Sequence, residues 1–466
     1  MEDTPIRFDP ELLRRYDTAG PRYTSYPTAP RFTDAFGQTE LYAAIAQSND
    51  EPIPRKLSLY VHVPFCESPC FYCGCNRIIT RDKSKADLYL KRLYREFALL
   101  AEHFDQDREV VQLHFGGGTP NFLTPEQLNE VVALLRNQFN FSNASDRDIS
   151  IELDPRFVKP DDIFKLAKAG FNRASLGVQD FDLAVQEAVN RVQSIEETRA
   201  IVDACRASGF ESVNLDLIYG LPNQTVESFR KTLDEVLAIR PDRLAVYGYA
   251  HMPHLFKPQK QLDASLLPTA HTRLELLRCA IETLTAAGYV YIGMDHFALP
   301  GDSLAKAREA GTLHRNFMGY TTHANTDLIG FGVSAISKIG GTFSQNPRDL
   351  NDWELALDED RLPVFRGMNL DKDDELRADL IQNLMCQGEV SLDALSKRHN
   401  IDGQRYFAEE IAQMAAFEAD GLLHRDESGI HVTLKGRFFL RNIAMCFDRY
   451  LSKNVTLEKP THSRSL

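Results

Sequence analysis

The stretch "CESPCFYCGC", residues 66–75, places Cys66, Cys70, Cys73 and Cys75 within ten positions of a chain that has eight cysteines in all. In a reducing compartment such a cluster reads as metal-binding or catalytic rather than as a disulfide framework. Three chemistries compete for it. A structural zinc site wants four ligands, usually two pairs parted by a longer loop, which this compact run matches poorly. A dithiol pair would use Cys70 and Cys73 and leave two further thiols as liabilities. An iron–sulfur cluster on Cys66, Cys70 and Cys73 would set three thiolates against four irons and leave one iron without a protein ligand. That open iron is useful, because a substrate or cofactor can chelate it directly.

The other residues suited to chemistry fall where apolar runs end: Gly116 to Thr119, Glu152, Gln179, Asp216, Ala250 with His251, and Asp295 with His296. The runs themselves, "LSLYVHV", "VVQLHF", "ISIEL", "RASLGV", "SVNLDLIY", "RLAVYGY" and "YVYIGM", with "LIGFGVSA" as a weaker eighth, suit strands buried on both faces. Helix starts lie between them. Thr124-Pro125-Glu126-Gln127 offers an N-cap, Pro at N1 and a capping-box Gln, and Ser194 with Glu197 repeats the box. A weak repeat places Gly170, Gly209 and Gly288 at helix ends, where positive φ is cheap only without a Cβ.

Strands and helices alternating through residues 51–345 predict an α/β catalytic domain, a partial or complete (β/α) barrel with closure undecided. Its polar strand ends would then meet on one face, where barrel enzymes place their sites. Residues 1–50, with "GPRYTSYPTAPRF", are expected to form an N-terminal arm over the active site. Residues 346–466 are expected to be a linker and a mainly helical C-terminal domain. Within it, "FEADGLLHRDESGIHVTLKGRFFLRNI" reads as helix, Gly stop, strand, turn and strand, the order of a winged helix.

A net charge of −13 and the absence of a basic stripe in that segment argue for a lid or packing domain rather than a nucleic-acid surface. The opening "MEDTPIRFDPELLRRYD" has no basic region leading into an apolar run, and no apolar stretch reaches the roughly 18 residues needed to span a bilayer. A cytoplasmic protein without a membrane partner is expected. Cys205, Cys279, Cys386 and Cys446 lie far apart and are assigned no chemistry.

The spacing C-x-x-x-C-x-x-C, with Tyr72 ahead of the last cysteine and "GGGTP" at residues 116–120, resembles the radical S-adenosylmethionine (SAM) superfamily. The ordered set "GPRYTSYPTA", "LYVHVPFC", "CGCN", "HFGGGTP", "GVQDF", "DLIYGLP", "GMDHFA", "LHRNFMGYTT" and "GVSAIS" spans nearly the whole chain. Together these motifs are similar to the oxygen-independent coproporphyrinogen III oxidase family.

The resemblance implies a 4Fe-4S cluster on Cys66, Cys70 and Cys73, with SAM on the open iron cleaved by one electron to methionine and a 5′-deoxyadenosyl radical. It implies conversion of the ring A and B propionates of coproporphyrinogen III to vinyls without oxygen, giving protoporphyrinogen IX in haem synthesis. It also implies two SAM molecules. Tyr60, Gly117, Glu152 and Ile336 would serve the cluster-bound one, and Gly118, Thr119, Gln179, Arg191, Asp216 and Ala250 the second. Glu152 and Asp216 can accept from amino or hydroxyl groups, and Arg191 can pair with a carboxylate as a fork.

The substrate carries four carboxylates, so its pocket needs cations; Arg22 and Tyr23 in the arm, with His62 and Arg315, are the candidate contacts. Cys75 is then no ligand, and its thiol would touch substrate or position the loop. An electron donor to the cluster and an unidentified electron acceptor are implied, and a monomer is expected. The alternative is a related subfamily of haem-binding chaperones without oxidase activity. Those relatives carry Phe in place of Cys75 and lack the "GPRYTSYPTA" arm, both of which this chain has.

Overall fold

A computed structural model of the chain describes residues 10–451. Residues 1–9 and 452–466, the outer ends of the expected arm and C-terminal domain, lie outside the described residues.

The first strand shows how pattern becomes architecture. In β1 (Lys56–Val63), Leu57, Leu59, Val61 and Val63 are fully buried beneath helices. Their alternate neighbours Ser58, Tyr60 and His62 take the other face, as a period of two requires; Ser58 Oγ donates to Gln112 Oε1 on the adjacent strand and Tyr60 OH lies 3.0 Å from His62 Nδ1. The same logic recurs in β2 (Glu109–Gly117), β3 (Asp148–Leu153), β4 (Arg173–Gln179), β5 (Ser212–Tyr219) and β6 (Arg243–Gly248), which pair in parallel in that order. The chain crosses between them through α1 (Ser84–Ala101), α2 (Pro125–Gln138), α3 (Pro160–Ala169), α4 (Ile195–Ala207) and α5 (Val226–Ile239), and α6 (Ala270–Ala286) follows β6.

Antiparallel strands extend both edges. Beyond β6 lie β7 (Val290–Gly293) and β8 (His296–Ala298). Beyond β1, β9 (Thr326–Phe331) pairs in parallel, then β10 (Ile336–Ile339), β11 (Thr342–Gln345) and β12 (Arg366–Asn369) turn back and forth. The path β7-β8-β6-β5-β4-β3-β2-β1-β9-β10-β11-β12 does not close on itself, so the barrel is a partial one.

Local signals set the helix ends as their chemistry dictates. Gln127 N–H donates to Thr124 Oγ1 at 3.2 Å and Thr124 N–H to Gln127 Oε1 at 2.9 Å, and Ser194 with Glu197 forms the same reciprocal pair. Gly170 ends α3 at φ +101°. Cys205, Cys279 and Cys386 are buried among helices.

The C-terminal segment has the order read from its sequence: β14 (Leu423–Asp426), a turn, and β15 (Gly429–Val432). A third strand, β13 (Glu389–Ser391), completes the small sheet in the order β13-β15-β14 and follows α7 (Lys372–Gln387). This sheet and its helices bury a core of their own, built on Leu380, Leu384, Phe407 and Phe447, and Tyr23 and Tyr26 enter that same core from the N-terminal segment.

On α1, Glu96 is fully buried and accepts from Gly332 N–H (2.8 Å), Asn346 Nδ2 (2.7 Å) and Trp353 Nε1 (3.2 Å). Burial outweighs those three donors and pushes the carboxyl up to about 7. The folded chain therefore keeps a proton that the unfolded chain releases near 4.5, so Glu96's contribution to stability is full below that value and is lost as pH rises through 7. Denaturant melts of the parent and Glu96→Gln between pH 4.5 and 8 should show the parent losing stability relative to the variant as pH rises; a difference constant with pH would refute the assignment.

Candidate active site

The cysteine loop leaves β1 through Pro64 and Phe65, and the glycine run after β2 lies directly against it. Gly118 N–H donates to Val63 O at 2.8 Å and Thr119 N–H to Phe65 O at 2.9 Å. A Cβ on Gly118 would sit 2.7 Å from Pro64 O, so only glycine lets the two loops run side by side. Gly117, at φ +118°, faces the His62 ring, and a Cβ there would meet it at 2.7 Å. Arg77 fastens the loop from within, reaching the carbonyls of Cys70, Cys73 and Cys75 at 3.2–3.4 Å.

Each of the three expected ligand sulfurs accepts a hydrogen bond. Thr119 Oγ1 donates to Cys66 Sγ at 3.2 Å, Arg191 to Cys70 Sγ at 3.5 Å, and Cys75 N–H to Cys73 Sγ at 3.4 Å. Thiolates that ligate iron are acceptors only, and donors to sulfur are how proteins tune such clusters. The donor set therefore fits an iron–sulfur cluster on these three residues. Burial pushes the Cys66 thiol above its ordinary value, while the Cys75 thiol, aided by Arg77, draws Cys73 below its own.

These sulfurs open on a cavity of about 270 Å³ that Gly117, Gly118, Thr119, Glu152, Gln179, Arg191 and Asp216 also line. Arg191 is buried, with Nη1 3.0 Å from Asp154 Oδ2 and Nη2 2.5 Å from Gly177 O. Its Nε, also buried, has no partner among the described residues. Glu152 accepts from Gly117 N–H at 3.3 Å and lies 3.4 Å from His114 Nε2. Burial and the nearby charge of Glu152 push Asp216 up to about 6, although Ser175 Oγ and Asn214 Nδ2 donate to it at 3.0 and 2.8 Å. A cavity lined by cysteine sulfurs, a guanidinium and two carboxylates has the groups that SAM's carboxylate, amino and hydroxyl groups require.

Cys75 also lines this cavity, whereas Tyr60, His62, Ala250 and Ile336 are not in its wall. Tyr60 OH is 3.0 Å from His62 Nδ1, and His62 Nε2 is 3.0 Å from Asn76 O just past the cysteine loop; burial pushes His62 below its ordinary value and keeps it neutral. Ile336 opens β10, and Ala250 O accepts from Gln259 Nε2, which also holds Tyr72 O.

A second cavity of about 160 Å³ shares Glu152, Ser175, Asp216 and Tyr247 with the first and reaches His296 and Tyr320. Arg22 pairs with Asp295 and lies 5.4 Å from the centre of the Tyr247 ring. Arg315 lies 5.4 Å from the Tyr320 ring, and its Nη1 donates to Arg22 O at 2.5 Å. Tyr23 turns away, its hydroxyl donating to Asp448 at 2.9 Å within the C-terminal core. Arg22 and Arg315 are thus brought together at one side of the barrel, and Tyr23 is not with them.

Asp154, Arg156, Tyr247 and Arg441 were not singled out from sequence. Asp154 bridges Arg191 and Arg156, and Arg156 Nη2 also approaches Cys70 Sγ at 3.8 Å. Their signal was position: both follow β3 directly, beside Glu152. Arg441 donates through Nε to Pro21 O at 3.1 Å and through Nη2 to Gly20 O, a pairing across the chain that no local pattern announces.

The chain matches the model of the Radical SAM superfamily over residues 60–236 and that of the HemN C-terminal domain over residues 370–439. It is 50% identical over 451 residues to the oxygen-independent coproporphyrinogen III oxidase of Pseudomonas aeruginosa, covering 97% of each chain. It is 46% identical over 459 residues to that of Escherichia coli K12, covering 98% of this chain and 99% of the other. The solved coproporphyrinogen III oxidase of Escherichia coli, described as a radical SAM enzyme, superposes with a TM-score of 0.91 at 45% identity over 96% of this chain and 100% of that one. Membership of the superfamily implies a 4Fe-4S cluster and SAM. With relatives this similar along almost its full length, the chain belongs to the oxygen-independent coproporphyrinogen III oxidase family of radical SAM enzymes.

Proposed function

We propose that this chain oxidatively decarboxylates the ring A and B propionates of coproporphyrinogen III to vinyls without oxygen, giving protoporphyrinogen IX for haem synthesis. The observation that carries this reading is the trio of cysteine sulfurs, each with its own donor, opening on a cavity that holds Glu152 and Asp216.

When bound, the cluster and SAM supply the one-electron chemistry that removes hydrogen from a propionate carbon, a step beyond any side-chain base. Cys66, Cys70 and Cys73 hold the cluster. Tyr60, Gly117, Glu152 and Ile336 serve the SAM on it, and Gly118, Thr119, Gln179, Arg191, Asp216 and Ala250 serve a second. Arg191, in the wall of that cavity, is the cation offered to a carboxylate there. Arg22 and Arg315 receive substrate propionates, Arg22 by exchanging Asp295 for them, while His62 and Cys75 position the loop edge that faces the reacting carbon; Tyr23 anchors the arm.

We assign residues 1–50 as the arm, 51–345 as the catalytic domain and 346–466 as linker and C-terminal domain. An external donor reduces the cluster and a separate acceptor takes the electron left after loss of CO₂. No helix among the described residues is long and apolar enough to cross a membrane. We place the enzyme in the cytoplasm as a monomer without a nucleic-acid or membrane partner.

Anaerobic reconstitution followed by incubation with coproporphyrinogen III, SAM and a reductant should yield 5′-deoxyadenosine and a porphyrinogen lighter by the lost carboxyl groups. Tight haem binding with no decarboxylation would instead assign the chaperone role. Cys75→Ser should keep cluster absorbance and SAM binding yet lose decarboxylation, whereas loss of the cluster would make Cys75 a ligand. Arg22→Ala should raise KM for coproporphyrinogen III about tenfold or more, the scale of a lost charge-assisted hydrogen bond, with the cluster intact; unchanged kinetics would remove Arg22 from the substrate site.

A further inference from the structure

The small C-terminal sheet carries a group of side chains that the oxidase chemistry does not use. His424 on β14 and His431 on β15 are directly opposite in the antiparallel ladder, and Glu389 on β13 is directly opposite His431 on its other side. Residues in register across neighbouring strands project from the same face. Asp426, two positions after His424, returns to that face by the period of two. One surface therefore presents a row of Glu389, His431 and His424, with Asp426 at the hairpin end.

The geometry is closer than a shared face requires. A ring nitrogen of His424, a ring nitrogen of His431 and a carboxylate oxygen of Asp426 all lie within 4.8 Å of one another. The two imidazole rings stack with centres 5.0 Å apart and planes 17° apart, and because a ring-nitrogen lone pair lies in the ring plane, binding one ion requires them to turn out of the stack. His431 is flanked by carboxylates on both sides: Nδ1 is 3.7 Å from Glu389 Oε2, and Nε2 is 3.3 Å from Asp426 Oδ1. Asp426 is itself fixed, because its Oδ1 accepts from Ser428 N–H (2.8 Å), Ser428 Oγ (2.6 Å) and Gly429 N–H (3.2 Å) in the hairpin turn. Ser428 Oγ also lies 2.9 Å from His431 Nε2 and is the contact that a ligand at that nitrogen would replace.

We propose that His424, His431 and Asp426 form a surface site for a borderline divalent transition ion such as Zn²⁺, with Glu389 orienting His431 from behind. Two imidazoles and one carboxylate match the donor types and number of a three-ligand zinc site that leaves a position to water. Imidazole nitrogens favour zinc, copper and nickel over magnesium and calcium. A carboxylate on the remote ring nitrogen is the usual partner of a metal-bound histidine, since it fixes the ring and raises its basicity. The ion would join β14 to β15 and, through Glu389, engage β13. It would thereby brace the hairpin from outside, where the wing has exposed side chains rather than core.

The test uses cluster-loaded enzyme, so that Cys66, Cys70 and Cys73 are already occupied. Equilibrium dialysis against Zn²⁺ should find one equivalent bound beyond the cluster. His424→Ala and His431→Ala should each weaken binding at least tenfold, and Glu389→Gln by about tenfold, the scale of losing an outer carboxylate. Zinc X-ray absorption should show a nitrogen and oxygen shell with imidazole scattering. Zinc binding unchanged in the His424→Ala/His431→Ala double variant, or sulfur in the zinc shell, would overturn the site.

Discussion

The charge of Arg191 organises the site. A guanidinium this deeply buried must be met by acceptors on several sides, because an unpaired buried cation is among the costliest groups a fold can hold. Arg191 meets Asp154 beyond β3, the Gly177 carbonyl within β4 and the sulfur of Cys70, so one side chain ties the cysteine loop to two strands of the sheet. Gly177 is small for this reason: a Cβ there would lie 2.9 Å from Arg191 Nη2 and 2.8 Å from Gln179 Nε2. Arg156 doubles the tie by sharing Asp154 and approaching the same sulfur.

That constraint works only because the sheet is parallel where it matters. From β9 through β1 to β6 every strand points the same way, so every strand end falls on one rim. Cys66, the glycine run, Glu152, Gln179 and Asp216 come from five different places in the sequence and still line one cavity. The antiparallel strands at the two edges leave the barrel open, and the N-terminal segment reaches both edges, Arg22 pairing with Asp295 between β7 and β8 and Thr33 bridging to Gly367 on β12.

Most of this architecture was legible from local pattern. The period of two in "LSLYVHV" gave β1, and the reciprocal Thr124–Gln127 and Ser194–Glu197 caps located α2 and α4, since such signals act over four residues. The cysteine spacing and the strand-end residues of the first cavity were legible for the same reason. Tyr23 was not: its direction is decided by Asp448, which lies 425 residues away. Arg22 finds Asp295 across 273 residues, and Gln259 takes the carbonyl of Ala250 only because the loop after β6 folds back on itself. Strand β13 is three residues long, too short for any periodicity to register, and it exists because β15 offers it an edge. Nothing local marks Glu96 as buried, because the groups that close over it, Gly332, Asn346 and Trp353, lie 236 to 257 residues away.

The anchoring of the arm has a consequence for the order of synthesis. The carbonyls of Gly20 and Pro21 are held by Arg441, Asn442 donates to Tyr16 O and Thr18 Oγ1, and Tyr23 rests on Asp448. Partners separated by 420 residues cannot meet while the chain is still being translated through its middle. The N-terminal segment emerges from the ribosome first and the strands of the barrel after it, so that segment has to wait, already made, for nearly the last residues to appear. The contacts that hold Gly20 and Pro21 are therefore among the last in the molecule to form, and a chain truncated before Arg441 would retain every cysteine of the loop yet lose them.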